Sequence, residues 1–265
     1  MMMELSSAQI ADIKSKLPKV CFIQRKLLLP IDLLAARLGP KSTVDVSLVN
    51  LRDASEVACE VEYALYEALS YYVRLNGSDE QDRNLFVQRS KFYVDDAALR
   101  LYAAAEHVAN FIQNFLAIES SKLEPYKKDN RTSFASIVGN YLISEMPSLE
   151  VTKVIKELAK EPNWQKTILY RNRWVHEQPP LLKEMGIAYK RKSRWQKTHD
   201  GNYALGIGLG DSADYTLDEL IEMVLSAYSG FAVLLEKMTN IALDFLKDKN
   251  IYDGKAVNLL QQKAG

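Results

Sequence analysis

Arg171, Asn172 and His176 lie together in the stretch YRNRWVHEQPP, residues 170–180. A histidine side chain ordinarily titrates near neutral pH, so it can take or return a proton there. A guanidinium offers fixed N–H donors to phosphate oxygens and stabilises negative charge that builds in a transition state. No metal-ligand spacing surrounds the pair, and arginine with histidine suits phosphodiester chemistry. In RNA the ribose 2′-hydroxyl can itself attack the phosphorus. Neither a metal nor a protein nucleophile is then required, and the product carries a 2′,3′-cyclic phosphate end.

The spacing predicts an amphipathic helix over Asn163–His176, stopped by Pro179-Pro180, with Trp164, Ile168 and Val175 as its apolar stripe. At about 100° per residue, Arg171 falls on one side of Ile168, Asn172 on the other and His176 one turn beyond Asn172. Arg171 and His176 are therefore expected to flank one face beside a cleft, because burying a guanidinium without a partner costs several kcal/mol or more. The plain alternative is a salt-bridged arginine and a histidine favoured by the C-terminal end of the helix dipole. Trp174, expected opposite Ile168, contacts either a second copy or a neighbouring helix, with the second copy preferred.

The elements that must hold this helix are mostly helices too. A short helix is expected from near Ser7, then apolar segments broken by Pro30 and Gly39-Pro40, and a strand at Thr43–Val49. Asp53 reads as the N-cap of a long helix through Val57, Val61, Leu65 and Tyr72, ending at Asn76-Gly77. After a polar loop, 78–83, a second long helix is expected over Asp95–Ile118, with Leu101, Ala105, Val108, Ile112 and Phe115 buried. A polar loop covers 119–131, and shorter helices follow over Ser133–Met146 and Leu149–Lys160. Residues 187–208 alternate around His199-Asp200-Gly201 and read as a β-hairpin. Thr216 and Glu219 form a capping box for a long apolar helix through Leu220, Phe231 and Phe245, with a kink expected at Ser229-Gly230.

The expected fold class is all-α: an antiparallel helical bundle over 51–250 with an inserted β-hairpin at 187–208, an N-terminal arm over 1–50 and a C-terminal tail over 251–265. At 265 residues and 48% hydrophobic content the chain can bury a substantial core. Lys+Arg and Asp+Glu both total 34, so any basic site is a local patch and not a property of the whole chain. Cys21, Cys59 and three histidines without close spacing give no disulfide scaffold and no structural zinc, which fits a reducing cytoplasm. No cofactor or metal is implied. The apolar run Val20–Leu38 is interrupted by Gln24, Arg25, Lys26, Pro30, Asp32 and Arg37, so no membrane span or signal peptide is expected.

Arg171-Asn172-x-x-x-His176 at the end of a bundle helix resembles the R-N-x-x-x-H signature of HEPN domains (higher eukaryotes and prokaryotes nucleotide-binding). These are helical bundles that include many metal-independent endoribonucleases. The resemblance covers about Asp53 to Lys247. It implies Arg171 and His176 as catalytic residues, Asn172 as the neighbour that orients them, and a homodimer in which two motifs line one cleft. It also implies an acidic companion on an earlier helix, for which Glu106 is the candidate; Glu106 with His107 reads equally as a surface pair. An antitoxin protein would be a further partner, and toxin–antitoxin or antiviral defence the setting. A non-catalytic module that binds nucleotide, RNA or a partner protein is the rival implication. Where toxins paired with a nucleotidyltransferase often carry a tyrosine two residues after the histidine, this chain has Gln178, so regulation by modifying that tyrosine is not expected. A second Arg-x-x-x-x-His match, Arg194 to His199, lies in the hairpin and is set aside. Lys190, Arg191, Lys192, Arg194 and Lys197, with Tyr189 and Trp195 between them, either hold an RNA backbone and stack a base or are charges guarding an exposed edge.

Overall fold

The computed structural model describes residues 4–27, 29–129, 132–177, 179–185, 194–206 and 213–258. Its long axis is a helical hairpin. Helices α1 (Ser7–Lys16), α2 (Val20–Lys26) and α3 (Ile31–Leu38) precede α4 (Val44–Leu75), which turns at Asn76-Gly77 into α5 (Glu80–Phe115). α4 and α5 run antiparallel along their length: Ser90 Oγ donates to the Ala68 carbonyl at 2.8 Å, and two turns farther from the bend Arg100 meets Glu60. Small residues recur along both helices, Ala54, Ala58, Ala64 and Ala68 on α4 and Ala97, Ala98 and Ala104 on α5, all buried. Small side chains let the two axes approach closely over many turns.

Three expectations fail here. Thr43–Val49 is not a strand and Asp53 is not an N-cap: both lie at or within the start of α4. Ser47, Leu48 and Leu51 recur at helical spacing and are buried, so packing of that face overrides the alternating Val44, Val46 and Val49. The second long helix begins at Glu80, not Asp95. Asp79 caps it by accepting from Asp82 N at 3.0 Å, and Phe86, Val87, Ser90 and Val94 form its buried stripe. The exposed Leu85 and Phe92 lie off that stripe and blur its period in the sequence.

The three N-terminal helices pack on α4. Glu62 of α4 reaches the start of α2, where its Oε2 accepts from Val20 N at 3.0 Å and Cys21 N at 3.4 Å. A carboxylate at a helix N-terminus satisfies donors that the helix leaves free. Beyond α5, the stretch expected as a polar loop carries α6 (Ser120–Leu123) and a 3₁₀ turn (Glu124–Tyr126). Then follow α7 (Phe134–Glu145), α8 (Glu150–Lys160) and α9 (Pro162–His176). Their starts are legible chemistry: Ser133 caps α7 through Ser136 N, and Pro162 occupies the first turn of α9 with Glu161 accepting from Trp164 N.

α10 (Leu217–Asp248) closes the bundle, with Leu220, Val224, Ala227, Phe231, Leu234 and Met238 buried against α4, α5, α8 and α9. It is continuous through Ser229-Gly230. A Cβ at Gly230 would lie 3.0 Å from Leu158 Cδ1, so the glycine serves the close approach of α8. The capping box of Thr216 and Glu219 is present at its start.

Between α9 and α10 the chain makes an excursion whose two ends are pinned together. Lys183 N donates to the Tyr215 carbonyl at 3.0 Å, and Leu181 N to Asp214 Oδ2 at 2.9 Å. Within the excursion, Arg194–Lys197 (β1) pairs antiparallel with Tyr203–Gly206 (β2), Arg194 opposite Gly206 and Lys197 opposite Tyr203, around a turn with Gly201 at φ 81°. Residues 186–193 and 207–212, and with them Tyr189, Lys190, Arg191 and Lys192, lie outside the described residues, as does Gln178. Of the expected tail, 251–258 is described, and Ile251 is buried. Among the described residues no helix is long and apolar enough to cross a membrane.

Candidate functional site

α9 presents a different face to the bundle from the one its apolar residues suggest. Thr167 and Tyr170 are buried, at 0% and 1% exposure, with Trp164 and Trp174 packed partly against the core. Val175, expected on the stripe, is exposed, and so is Leu169. The reason lies on α5. Asp95, itself buried, accepts from the Tyr170 hydroxyl through Oδ1 and from Trp174 Nε1 through Oδ2 at 3.2 Å, while Lys91 Nζ sits 2.6 Å from Oδ2. This carboxylate fixes the rotation of α9. Trp174 thus packs on a neighbouring helix, one of its two expected roles. Burial, and then the Asp95 charge, push the Tyr170 phenol above its ordinary range, so it stays a donor.

With that rotation set, Arg171 turns toward α5. Its guanidinium carbon lies 3.8 Å from the ring centroid of Tyr102, a cation–π contact, and Nη1 donates to Asn172 Oδ1 at 3.1 Å. Its Nε is buried and has no hydrogen-bond partner among the described residues. The structure therefore brings Arg171 and Asn172 together. His176 is exposed in the last turn of α9. Five positions apart, Arg171 and His176 point about 140° away from each other on one helix, so they do not share a face within a single chain. Neither is in an ion pair with a carboxylate among the described residues, so the salt-bridged arginine is not what is seen.

Glu106 stands one turn after Tyr102 on α5 and does meet the Arg171 neighbourhood. Its Oε1 accepts from Ala135 N at 3.4 Å, at the start of α7, and the Tyr102 hydroxyl is within hydrogen-bonding reach of the carboxylate. Burial raises the Glu106 carboxyl above the ordinary glutamate range, opposed by the Ala135 and Phe134 N–H groups, the Tyr102 hydroxyl and the Arg171 charge. Tyr102 was not singled out from the sequence, although its i, i+4 relation to Glu106 placed it there. Asp95 was missed because it reads as the beginning of a helix and not as its buried interior.

Beside Glu106 a cavity of about 510 Å³ opens between α5, α7, α8, α9 and α10. Its walls are mixed, with more apolar than polar surface, and Ala105, Ala109, Ala135, Gly139 and Ala159 leave space where a packed interface would carry larger side chains. Tyr102, Glu106, Lys128, Thr132, Ser133, Ser136, Asn140 and Gln165 put polar side chains on the same lining. Ile168, one turn before Arg171 and Asn172, joins this cavity to the motif. Of the proposed RNA-binding residues, Arg194 and Trp195 open β1 and are not among the residues lining this cavity.

The raised Glu106 pKa has a measurable consequence. The unfolded chain releases this proton near the ordinary value of 4.5, while the folded chain still holds it. Folding is then favoured by the bound proton at low pH, and this contribution is lost as pH rises through the folded value. Urea midpoints of the native chain should fall more steeply with pH from 4.5 upward than those of Glu106→Gln, in the window set by this shift. Parallel curves would place the burial cost elsewhere.

No protein-family model matches the chain, nor does any curated protein or any solved structure.

Proposed function

We propose that the chain is a HEPN-like bundle acting as a metal-independent endoribonuclease of the toxin–antitoxin or defence kind, working as a homodimer in the cytoplasm. The observation that carries this is the outer face of α9. His176 and Asn172 lie there beside Leu169 and Val175, which are 57% and 42% exposed, an apolar pair that a second copy would cover. Because Arg171 and His176 diverge on one helix, each site pairs Arg171 of one copy with His176 of the other across the cleft.

In that site His176 takes the proton of the ribose 2′-hydroxyl as its oxygen attacks phosphorus. Arg171 holds the phosphate oxygens while charge builds on them, and Asn172 accepts from Arg171 to keep the guanidinium aimed. The bond to the 5′-oxygen breaks, that oxygen takes a proton from water while His176 releases its own to water, and the products are a 2′,3′-cyclic phosphate and a 5′-hydroxyl. Glu106 acts through Tyr102 as the acidic companion of Arg171. The β1–β2 pair is read as an insertion whose basic residues hold the RNA backbone, and an antitoxin would bind over the same outer face.

The test is cleavage of labelled single-stranded and structured RNAs by the purified protein in excess chelator. Cleavage that leaves cyclic phosphate ends is expected. Absence of cleavage, with RNA or nucleotide still bound, would move the assignment to the rival, a non-catalytic binding module.

A further inference from the structure

We infer that Cys21 and Cys59 are a redox-modification site: hydrogen peroxide oxidises the two thiols to a disulfide that staples α2 to α4, and a dithiol reductant reopens it. The site is separate from α9 and does not rest on the ribonuclease reading. Both cysteines carry thiols, Cys21 exposed on α2 and Cys59 half-buried on α4. Glu62, one turn after Cys59, fixes their encounter. Its Oε2 accepts from Val20 N at 3.0 Å and Cys21 N at 3.4 Å, which holds the first turn of α2 over the face of α4 that carries Cys59 and Glu62. Next to Cys59, the Ala58 carbonyl accepts from the Tyr228 hydroxyl of α10 at 2.9 Å, and Lys26 at the other end of α2 meets Glu236 of α10 at 3.6 Å. α2 is thus held at both ends, and the two thiols lie within hydrogen-bonding reach of each other.

The surroundings also set the order of events. Burial raises both thiols above the ordinary cysteine range, Cys59 the more strongly. The hydrogen bond between them opposes this at Cys21 and adds to it at Cys59, so the Cys59 thiol is the donor and Cys21 ionises first. The Glu62 charge raises both, which keeps the pair as thiols until oxidant accumulates. The exposed Cys21 thiolate attacks one peroxide oxygen and the O–O bond breaks. The departing hydroxide takes up the proton that Cys21 released, and a sulfenic acid remains. Cys59 Sγ then attacks the Cys21 sulfur, the S–O bond breaks, and the hydroxide leaves as water with the Cys59 proton. Two thiols have given up two electrons, and one peroxide has become two waters. The bridge closes a loop that holds α3 and the first half of α4, so it stabilises the fold by restricting the unfolded chain. A transient disulfide of this kind is the form a reducing compartment allows.

Intact mass, peptide mapping and thermal melting of the full chain, exposed to hydrogen peroxide without denaturant, test this. The oxidised chain should be lighter by two hydrogens and yield a Cys21–Cys59 bridged peptide. It should melt about 5–10 °C later than the reduced chain, and dithiothreitol should restore both thiols and the original midpoint. In Cys59→Ser no neighbouring thiol consumes the Cys21 sulfenic acid, so it should accumulate and be trapped by dimedone. In Cys21→Ser the half-buried Cys59 should lose its thiol at least about tenfold more slowly than Cys21 does in Cys59→Ser. The mass and peptide readouts on the native chain stand even where a serine variant fails to fold. Oxidation of Cys21 to a sulfinic acid with Cys59 still a thiol, a bridge found only between two copies, no loss of either thiol, or a bridged chain that melts no later than the reduced one would overturn the inference.

Discussion

Arg171→Ala and His176→Ala should each lower chelator-resistant RNA cleavage by about 10²- to 10⁴-fold while leaving the fold in place. His176 is exposed in the last turn of α9, so its removal costs little stability, and its effect on rate isolates the loss of a proton acceptor. Arg171 is more entangled. Its stack on Tyr102 is worth about 0.5–2 kcal/mol, so the alanine variant should unfold slightly earlier even where activity is gone. Arg171→Lys keeps the charge but loses the planar donor pair and the ring stack, and its rate should fall between the native and alanine values. Mixing provides the sharpest test of the dimer cleft. In a mixed dimer of the two alanine variants, one composite site retains both an arginine and a histidine. An equimolar mixture should therefore recover about a quarter of the native rate if subunits exchange freely. No recovery after demonstrated exchange would mean that each chain uses its own pair, and the outer face of α9 would not be the cleft.

How much of this was legible before the fold was known differs from element to element. Helix starts and stops written in side-chain chemistry were readable: Ser133 before α7, Pro162 in α9, Thr216 with Glu219 before α10, Asn76-Gly77 after α4. Starts that depend on a partner were not. Val44–Val49 alternates like a strand and becomes helix because Ser47, Leu48 and Leu51 are buried together. The site divides in the same way. That Arg171 and Asn172 are unusual on a packed helix can be read from α9 alone. Which way they face cannot, because Asp95 sets it from 75 residues away along the chain by holding Tyr170. A wheel centred on Ile168 misses this, since it counts tyrosine and tryptophan as weaker core residues than isoleucine and valine. Here the polar ends of Tyr170 and Trp174 have a buried acceptor, so they go in, while Leu169 and Val175 stay out.

Asp95→Ala should be the most damaging single substitution on the motif-bearing face, and its lesion should be stability. The carboxylate serves three donors at once: the Lys91 ammonium, the buried Tyr170 hydroxyl and the Trp174 indole N–H. The Lys91 and Asp95 side chains are each only 12% exposed, so water cannot readily replace the lost acceptor. Removing one partner of such a buried pair costs about 3–5 kcal/mol, because the charge left behind is uncompensated. At about 2–4 °C per kcal/mol for a chain near this size, the thermal midpoint should drop by about 10 °C. Tyr170→Phe deletes a single donor, leaves Asp95 its other two, and should cost only about 1 kcal/mol. A surface comparison is available in Arg173 and Asp214, at 35% and 26% exposure, where Arg173→Ala should shift stability by no more than about 1 kcal/mol. If Asp95→Ala unfolds no earlier than Arg173→Ala, the rotation of α9 is held by its packing and not by this carboxylate. Hydrogen exchange along 167–176 separates the cases, since loss of the Asp95 clamp should expose amides of α9 while those of the α4–α5 seam stay protected. Asp95 thus bears on Arg171 only indirectly, by holding Tyr170 and Trp174 on the same helix.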